Sequence, residues 1–489
     1  MVLGKFINRL FKDSIVYGLG TSILAFYQII LLPIITKYLD SDDISSFIYF
    51  ASLNAVFVTI LIFGMDSATV RFLFDKKDNL SHYKKVFSSG LFFILTISLI
   101  FLVLSYYFRS SFFEILKIHK DYRAAFLIMI FGLPFLAIIR YIQNWYKWTL
   151  KPINFLIFTS GFVLSNIAAL FFLILINKLN FFNIVLSNTL IQLFLLLFGL
   201  YNCRKYLTFR IDKTLLKNII LYGLPFALLL LLSSLRSNMD RILIRKYFFG
   251  EAEFAIYGIM QRISSILLIF IGTFDVAIAP LIYSTWDTPN ASKNYAKIQT
   301  GFLFGLTFFC TIFSALSSII IVLLSNQTYI TGKFYLTLLI PTNIIIGLLT
   351  FSGLGINYSK KSLYNLLLGI VCIIVYYCSS ILTTKYYGAE GLLFSMFLGT
   401  FTMIGLGYFI SSKYYPIKYN YITDFSLLVF CFIGSFFLIN FNLSEKMALD
   451  AMLKVMIVLL VFLFLIMFFF KHQFYVAIRK VNSMIKSKK

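Results

Sequence analysis

Apolar runs of 20 residues or more, parted by short polar stretches, recur along the whole chain. Such a run matches the roughly 20 residues that an α-helix needs to cross the ~30 Å hydrocarbon core of a bilayer. The pattern predicts about fourteen transmembrane helices. The first seven cover residues 14–36, 44–65, 86–108, 124–145, 153–176, 181–201 and 216–236; the second seven cover 254–279, 301–324, 334–356, 363–383, 391–412, 421–441 and 447–470. Short segments of strictly alternating hydrophobicity are absent, which excludes a transmembrane β-barrel. The basic N-terminal stretch before Ser14 runs straight into apolar sequence with no small-residue cleavage site, so it predicts a retained first helix rather than a removed signal peptide.

Composition agrees with the pattern. Of 489 residues 60% are hydrophobic and 13% charged, with a mean hydropathy of +0.90, which excludes a soluble enzyme on a single anchor. Lys and Arg number 43 against 19 acids. In a soluble chain that surplus would suggest nucleic acid; here the cations gather in the short loops, so no nucleic-acid partner is expected. With the N-terminus inside, 28 of the 43 fall on the cytoplasmic side, 14 on the other, and Arg262 within a helix. The bias predicts a multi-pass protein of the cell (cytoplasmic or inner) membrane with both termini cytoplasmic. No loop exceeds about 20 residues, which leaves no room for a polymerase, ligase or receptor domain outside the bilayer. The five cysteines form no CxxC pair and read as buried thiols.

An internal repeat organises the runs. Lys12-Asp13-Ser14-Ile15-Val16-Tyr17-Gly18-Leu19-Gly20 aligns with Lys217-Asn218-Ile219-Ile220-Leu221-Tyr222-Gly223-Leu224-Pro225, identical at five of nine positions. An offset of 209 aligns Lys37-Tyr38 with Lys246-Tyr247, and Asp66-Ser67-Ala68 with Asp275-Val276-Ala277. Six helices separate the copies, an even number, so both halves have the same orientation in the membrane. The expected architecture is an all-α polytopic membrane protein: two pseudo-symmetric six-helix bundles around a central cleft, residues 1–205 and 206–415, and two further helices with a basic cytoplasmic tail over 416–489.

The residues that carry the repeat also carry a resemblance. The opening FKDSIVYGLGTSILAFYQIILLPIITKYL, the loop Asp40-Ser41-Asp42-Asp43 and the exit Phe63-Gly64-Met65-Asp66-Ser67-Ala68-Thr69-Val70-Arg71-Phe72 are similar to the polysaccharide-flippase branch of the multidrug, oligosaccharidyl-lipid and polysaccharide exporter superfamily. In the second half Tyr222-Gly223-Leu224-Pro225, Asp240-Arg241 and Ala255-Ile256-Tyr257 resemble that family's seventh and eighth helices. The first outer loop departs from the family pattern of Gly-Pro followed by acids and Gly. The resemblance implies a flippase that moves an isoprenoid-pyrophosphate-linked oligosaccharide from the cytoplasmic to the outer leaflet, for O-antigen, capsule or similar surface polysaccharide. It implies alternating access, no cofactor, no catalysis, and a functional link to polysaccharide polymerase machinery. A diphosphate bearing sugars cannot cross hydrocarbon unaided, so the cleft needs cations for phosphate and polar groups for sugar.

Arg262 is the foremost candidate, because a charge at its depth costs at least about 2.5–3.5 kcal/mol on the insertion scale and needs a cleft or a partner. It is either a ligand for phosphate or a sugar acid, or else half of a structural ion pair or a snorkelling side chain; its counterpart in the first half is near the uncharged Asn54, so a pyrophosphate site there would be asymmetric. Arg236, Asp240, Arg241 and Arg245 end the seventh helix. Spacing of four pairs Arg236 with Asp240 and leaves Arg241 and Arg245 to draw an anionic headgroup. Arg140, beside Trp145, reads as an interfacial anchor or a further substrate contact. Asp66 and Asp275 hold equivalent places in the two halves. Asp66 is expected to pair with Arg71, and either acid, like Asp240, is a candidate for gating or for coupling to an H+ or Na+ gradient.

Catalytic patterns are nearly empty. The three histidines are scattered over loops and tail, which offers no metal site and no general base. Gly18-Leu19-Gly20 reads as close helix packing, and no phosphate-binding Gly-rich loop with a Lys exists to use ATP. Two other classes stay open: a small-molecule or cation antiporter of the same superfamily, and a membrane glycosyltransferase using Asp40 and Asp42 as metal-assisted acids.

Overall fold

The computed structural model describes residues 20–469, apart from 21–22, 25, 74–78, 150, 210, 244–249, 287, 289, 360 and 362. Every regular element among them is helical. After α1 (Phe26–Tyr38) come α2 (Ser41–Ile62), α3 (Met65–Leu73), α4 (Leu80–Tyr107), α5 (Arg109–Ile115), α6 (Arg123–Trp148), α7 (Pro152–Leu175), α8 (Phe181–Cys203) and α9 (Lys213–Leu243). The chain continues through α10 (Glu251–Ser264), α11 (Ile266–Thr285), α12 (Ala291–Ala315), α13 (Ser317–Leu324), α14 (Lys333–Gly347), α15 (Leu349–Ser352) and α16 (Leu354–Tyr358). It ends with α17 (Leu363–Tyr414), α18 (Tyr421–Asn440) and α19 (Met447–Phe469).

Twelve helices among the described residues are long and apolar enough to cross a membrane. One of them, α17, has 52 residues, and at Gly388 its backbone leaves helical geometry (φ 54°, ψ −133°). It therefore makes two crossings in series, and with α1, the described part of the first predicted crossing, the expected fourteen are accounted for.

The acids of the first loop belong to a helix start. Asp40 caps α2, its Oδ1 accepting the Asp43 amide at 2.8 Å, and Asp42 and Asp43 fill the first turn, where carboxylates oppose the helix dipole favourably. Asp43 also accepts from the Tyr122 hydroxyl (3.0 Å) and the Phe181 amide (3.4 Å), which ties the starts of α6 and α8 to α2. At the far end α2 stops at Phe63 and Gly64, both left-handed (φ 49° and 68°). A Cβ on Gly64 would stand 2.7 Å from the Gly223 carbonyl oxygen and 2.8 Å from the Ala227 nitrogen. Glycine there serves both the positive φ and a backbone-to-backbone approach to α9.

The chain divides into two compact units. The first comprises residues 1–262 and 359–407, the second 263–358 and 408–489. In the first, α6 packs on α8 and α2 packs on both α6 and α9. Aromatic rings fill the seams: Phe87 lies 4.7 Å from Trp145 and Trp145 5.4 Å from Tyr206, centroid to centroid, while Phe50 meets Phe126 and Phe181 edge to face. Within a bilayer such packing rests on dispersion and close fit rather than on burial from water. Gly20 follows the packing expectation for its segment, since a Cβ there would meet the Phe155 ring at 2.6 Å; Gly18 and Leu19 lie outside the described residues.

In the second unit α12 and α14 pack on α18, and α19 packs on α12. Phe462 of α19 stacks edge to face with Phe304, Phe308 and Phe430. Buried polar groups interrupt this apolar setting. Buried Asp424 accepts from the Gln299 amide and the Thr300 hydroxyl, both at 2.7 Å. Lys454 and Asp450, both buried, form a 2.7 Å ion pair one helical turn apart on α19. Of the five cysteines, four are buried as expected and Cys378 is exposed.

Candidate functional site

The candidate cations gather at the C-terminal half of α9 and on α10, within the first unit. Gly258 sets their geometry: a Cβ at that position would collide with Ile48, so its absence lets α10 lie close on α2. One turn later Arg262 places its guanidinium 4.8 Å from the centroid of the Phe47 ring, a cation–π contact that offsets part of the cost of burying charge. Arg262 lies near the middle of the apolar stretch Glu251–Asp275. The charge of Arg241 on α9 acts on it, as does the Tyr27 hydroxyl of α1.

Arg241 folds back along its own helix. Its Nη2 donates to the Ser237 carbonyl oxygen (2.6 Å) and to Asn238 Oδ1 (3.1 Å), and its Nε stands 3.6 Å from Asp240 Oδ1. The carboxylate of Asp240 is in addition held from α10: Oδ2 accepts from the Tyr257 hydroxyl at 2.6 Å and the Gln261 amide at 2.8 Å. The expected pair of Arg236 with Asp240 is thus corrected. Spacing along one helix brought Arg236 into reach, but the donors of the next helix and the adjacent Arg241 take the carboxylate. Tyr376, one turn beyond Cys372, is fully buried in the field of Asp240 and Arg241, and its hydroxyl has no hydrogen bond among the described residues. Among the described residues this part of α9 and α10 carries Arg236, Arg241 and Arg262 beside the engaged carboxylate of Asp240. It presents donors and positive charge, the chemistry that binds phosphate oxygens. Arg245 lies outside the described residues.

The remaining candidates stand apart. Arg140 is exposed on α6 two turns before that helix ends at Trp148, so it is deeper than an anchor at a helix terminus. One turn on, Asn144 donates to Asp66 Oδ2 at 3.2 Å, and the Ser67 amide donates to Asp66 Oδ1 at 2.8 Å. Asp66 is therefore held by Asn144 and Ser67 rather than by the expected Arg71, which α3 carries one turn away. In the second unit Asp275 accepts from the Thr350 hydroxyl at 2.6 Å.

Asp66 also borders a cavity of about 260 Å³ between α2 and α9, lined by Thr59, Ile62, Asp66, Leu230, Ser233, Ser234 and Ser237. The serines were not singled out from sequence, because single hydroxyls in apolar runs look like helix-packing residues. The polar stripe Tyr257, Gln261 and Arg262 was readable from its spacing of four and five; its partner Asp240 was not. Among the described residues no group of three or more His, Cys, Asp or Glu side chains converges as a metal site would require.

Comparisons with known proteins bear on the family and the fold. The family model described as "Polysaccharide biosynthesis protein" matches residues 10–286. No curated protein matches the sequence. Among solved structures, the lipid II flippase MurJ in an inward closed conformation is 15% identical, covers 94% of this chain and 99% of its own, and superposes with a TM-score of 0.71. A multidrug resistance MATE family transporter of the MOP superfamily, inward-facing, is 13% identical with a TM-score of 0.64, covering 85% of this chain and 95% of its own. An outward-facing MATE family structure gives 13% and 0.60, covering 86% and 96%. At such identities the likeness establishes a common fold.

Proposed function

The chain belongs to the polysaccharide biosynthesis protein family, and from that premise we propose that it is a flippase for isoprenoid-pyrophosphate-linked oligosaccharide. In this reading the lipid is carried from the cytoplasmic to the outer leaflet of the cell membrane for surface polysaccharide such as O-antigen or capsule. The observation that carries the reading is the gathering of Arg241 and Arg262 inside an apolar bundle, on neighbouring helices that Asp240 joins through Tyr257 and Gln261. Guanidinium groups held in such a setting suit the oxygens of a phosphate.

The diphosphate binds the arginines while the isoprenoid tail stays in lipid. The two repeat halves, residues 1–205 and 206–415, then rock to expose the site on the other face. Transport is driven by an H+ or Na+ gradient, with Asp66 and Asp275 as the coupling acids, and is drawn onward by the polysaccharide polymerase. The fold shared with a MurJ flippase supports the class, and the helical, loop-poor chain supports transport rather than catalysis.

The test is translocation of a fluorescent polyprenyl-diphosphate oligosaccharide in proteoliposomes. Wild type moves the lipid, while Arg262→Ala and Arg241→Ala insert and fold but lose most of the rate. Wild type that moves nothing, with or without an ion gradient, overturns the flippase reading and turns attention to small-molecule antiport.

A further inference from the structure

The cavity between α2 and α9 has a chemistry opposite to that of the arginine cluster. The Thr59 and Ser234 hydroxyls each donate to the Ala55 carbonyl oxygen (2.8 and 3.3 Å), and the Ser237 hydroxyl donates to the Ser233 carbonyl oxygen (3.0 Å). Their protons are spent on backbone, and what they offer the cavity is acceptor lone pairs. Asp66 adds a carboxyl group that is an acceptor only when ionised, and its two oxygens retain capacity beyond Ser67 and Asn144. Apart from the Ser233 hydroxyl, which keeps a proton to donate, the polar lining is made of acceptors, which favours a ligand rich in donors and disfavours an anion. Ile62 and Leu230 complete the lining with apolar surface, which suits the C–H face of a pyranose ring. The volume, about 260 Å³, equals roughly nine waters at their ~30 Å³ share of liquid. That is far more than a dehydrated cation needs and about what one sugar ring fills.

The position is as telling as the chemistry. Ser233, Ser237 and Arg241 follow one another at spacings of four on α9, so the acceptor-lined cavity and the cationic cluster are one turn apart, about 6 Å. The Arg241 Nη2 contact to the Ser237 carbonyl oxygen, 2.6 Å, joins the two directly. We propose that this cavity, lined by Thr59, Asp66, Ser233, Ser234 and Ser237, holds a non-acidic sugar ring attached to the diphosphate that Arg241 and Arg262 bind. The assignment rests on the flippase reading above and adds to it a sugar subsite with a stated selectivity: neutral or amino sugars are accepted, uronates are rejected by Asp66.

The test is equilibrium binding by the full chain in nanodiscs to three probes: bare polyprenyl diphosphate, the same lipid bearing one N-acetylglucosamine, and the same lipid bearing one glucuronate. Wild type prefers the N-acetylglucosamine lipid. The double substitution Ser233→Ala with Ser237→Ala weakens that lipid about tenfold and leaves the bare lipid unchanged, since the Ser237 carbonyl that Arg241 uses is backbone. Asp66→Asn narrows the preference for N-acetylglucosamine over glucuronate, a ratio that a merely structural role would not move. Arg241→Ala weakens all three probes alike. Equal losses for bare and sugar-bearing lipid, or none in serine variants with wild-type thermal midpoints, overturn the subsite. Wild type that binds none of the three overturns the flippase reading itself, and the subsite falls with it.

Discussion

The Tyr257 hydroxyl donates to the Asp240 carboxylate at 2.6 Å, so α10 latches onto α9 between the two arginines that the next turns present. Tyr257→Phe removes one of the two uncharged donors from a buried carboxylate, an effect of about 1–3 kcal/mol. The thermal midpoint of the purified protein should fall accordingly. In an Asp240→Asn background the same change should cost much less, because the acceptor it served has lost its charge. Additive losses would show that Tyr257 stabilises through packing alone.

Gly64 and Gly161 make a matched pair of controls. At Gly64 a Cβ meets backbone at 2.7 and 2.8 Å with φ at +68°, so Gly64→Ala should destabilise by about 1–3 kcal/mol. Gly161 lies within α7 with nothing within 4 Å of a Cβ, so Gly161→Ala should be neutral or stabilising by up to about 1 kcal/mol. Thermal melts of the two variants side by side give the comparison directly.

Lys454 and Asp450 form a pair whose halves cannot be separated cheaply. Lys454→Met leaves Asp450 buried without its cation, which costs about 3–5 kcal/mol. Adding Asp450→Asn to Lys454→Met should recover most of that, since it removes the stranded charge while keeping an oxygen for the Leu443 amide, which now donates to Asp450 at 2.6 Å. Expression yield and thermal midpoint of the single and double variants report the coupling.

Asp212 governs an acid-sensitive step at the start of α9. The Leu215 amide (3.1 Å) and then Lys85 (3.6 Å) favour its charged form and hold its carboxyl below the ordinary aspartate value. A depressed folded value means the contribution to stability is present above the unfolded pKa, about 3.9, and is lost as pH falls through the folded one. The stability gap between wild type and Asp212→Ala should therefore be constant near neutrality and narrow below about pH 4.

Fourteen crossings, the helix-packing role around Gly20 and the place of Arg262 within an apolar span were legible in the sequence, because length, hydropathy and the cost of a charge in hydrocarbon are local properties. Partners were not. Asp240 has Arg236 at the favourable spacing of four, yet its strongest contacts come from Tyr257 and Gln261, whose approach depends on Gly258 packing against Ile48. Asp66 was matched with Arg71 on its own helix, whereas Asn144 arrives from α6. Asp424 went unremarked because a lone acid near a helix start looks solvated; only α12, bringing Gln299 and Thr300, shows it to be buried. Sequence spacing sees neighbours along one helix, and the candidate site is made between helices.

Pro225 lies eight residues before Ser233, and beyond it α9 runs helically to Leu243. Ser233, Ser237 and Arg241 thus share one rod, and the interval between them is a property of peptide geometry instead of loop conformation. A ligand read by that rod is measured at one end, by the distance from its charged group to the first ring, and everything further along goes unmeasured. On the proposed sugar subsite, a single replacement on α9 would change which head the rod takes, while a longer or branched remainder would need no change in the scaffold.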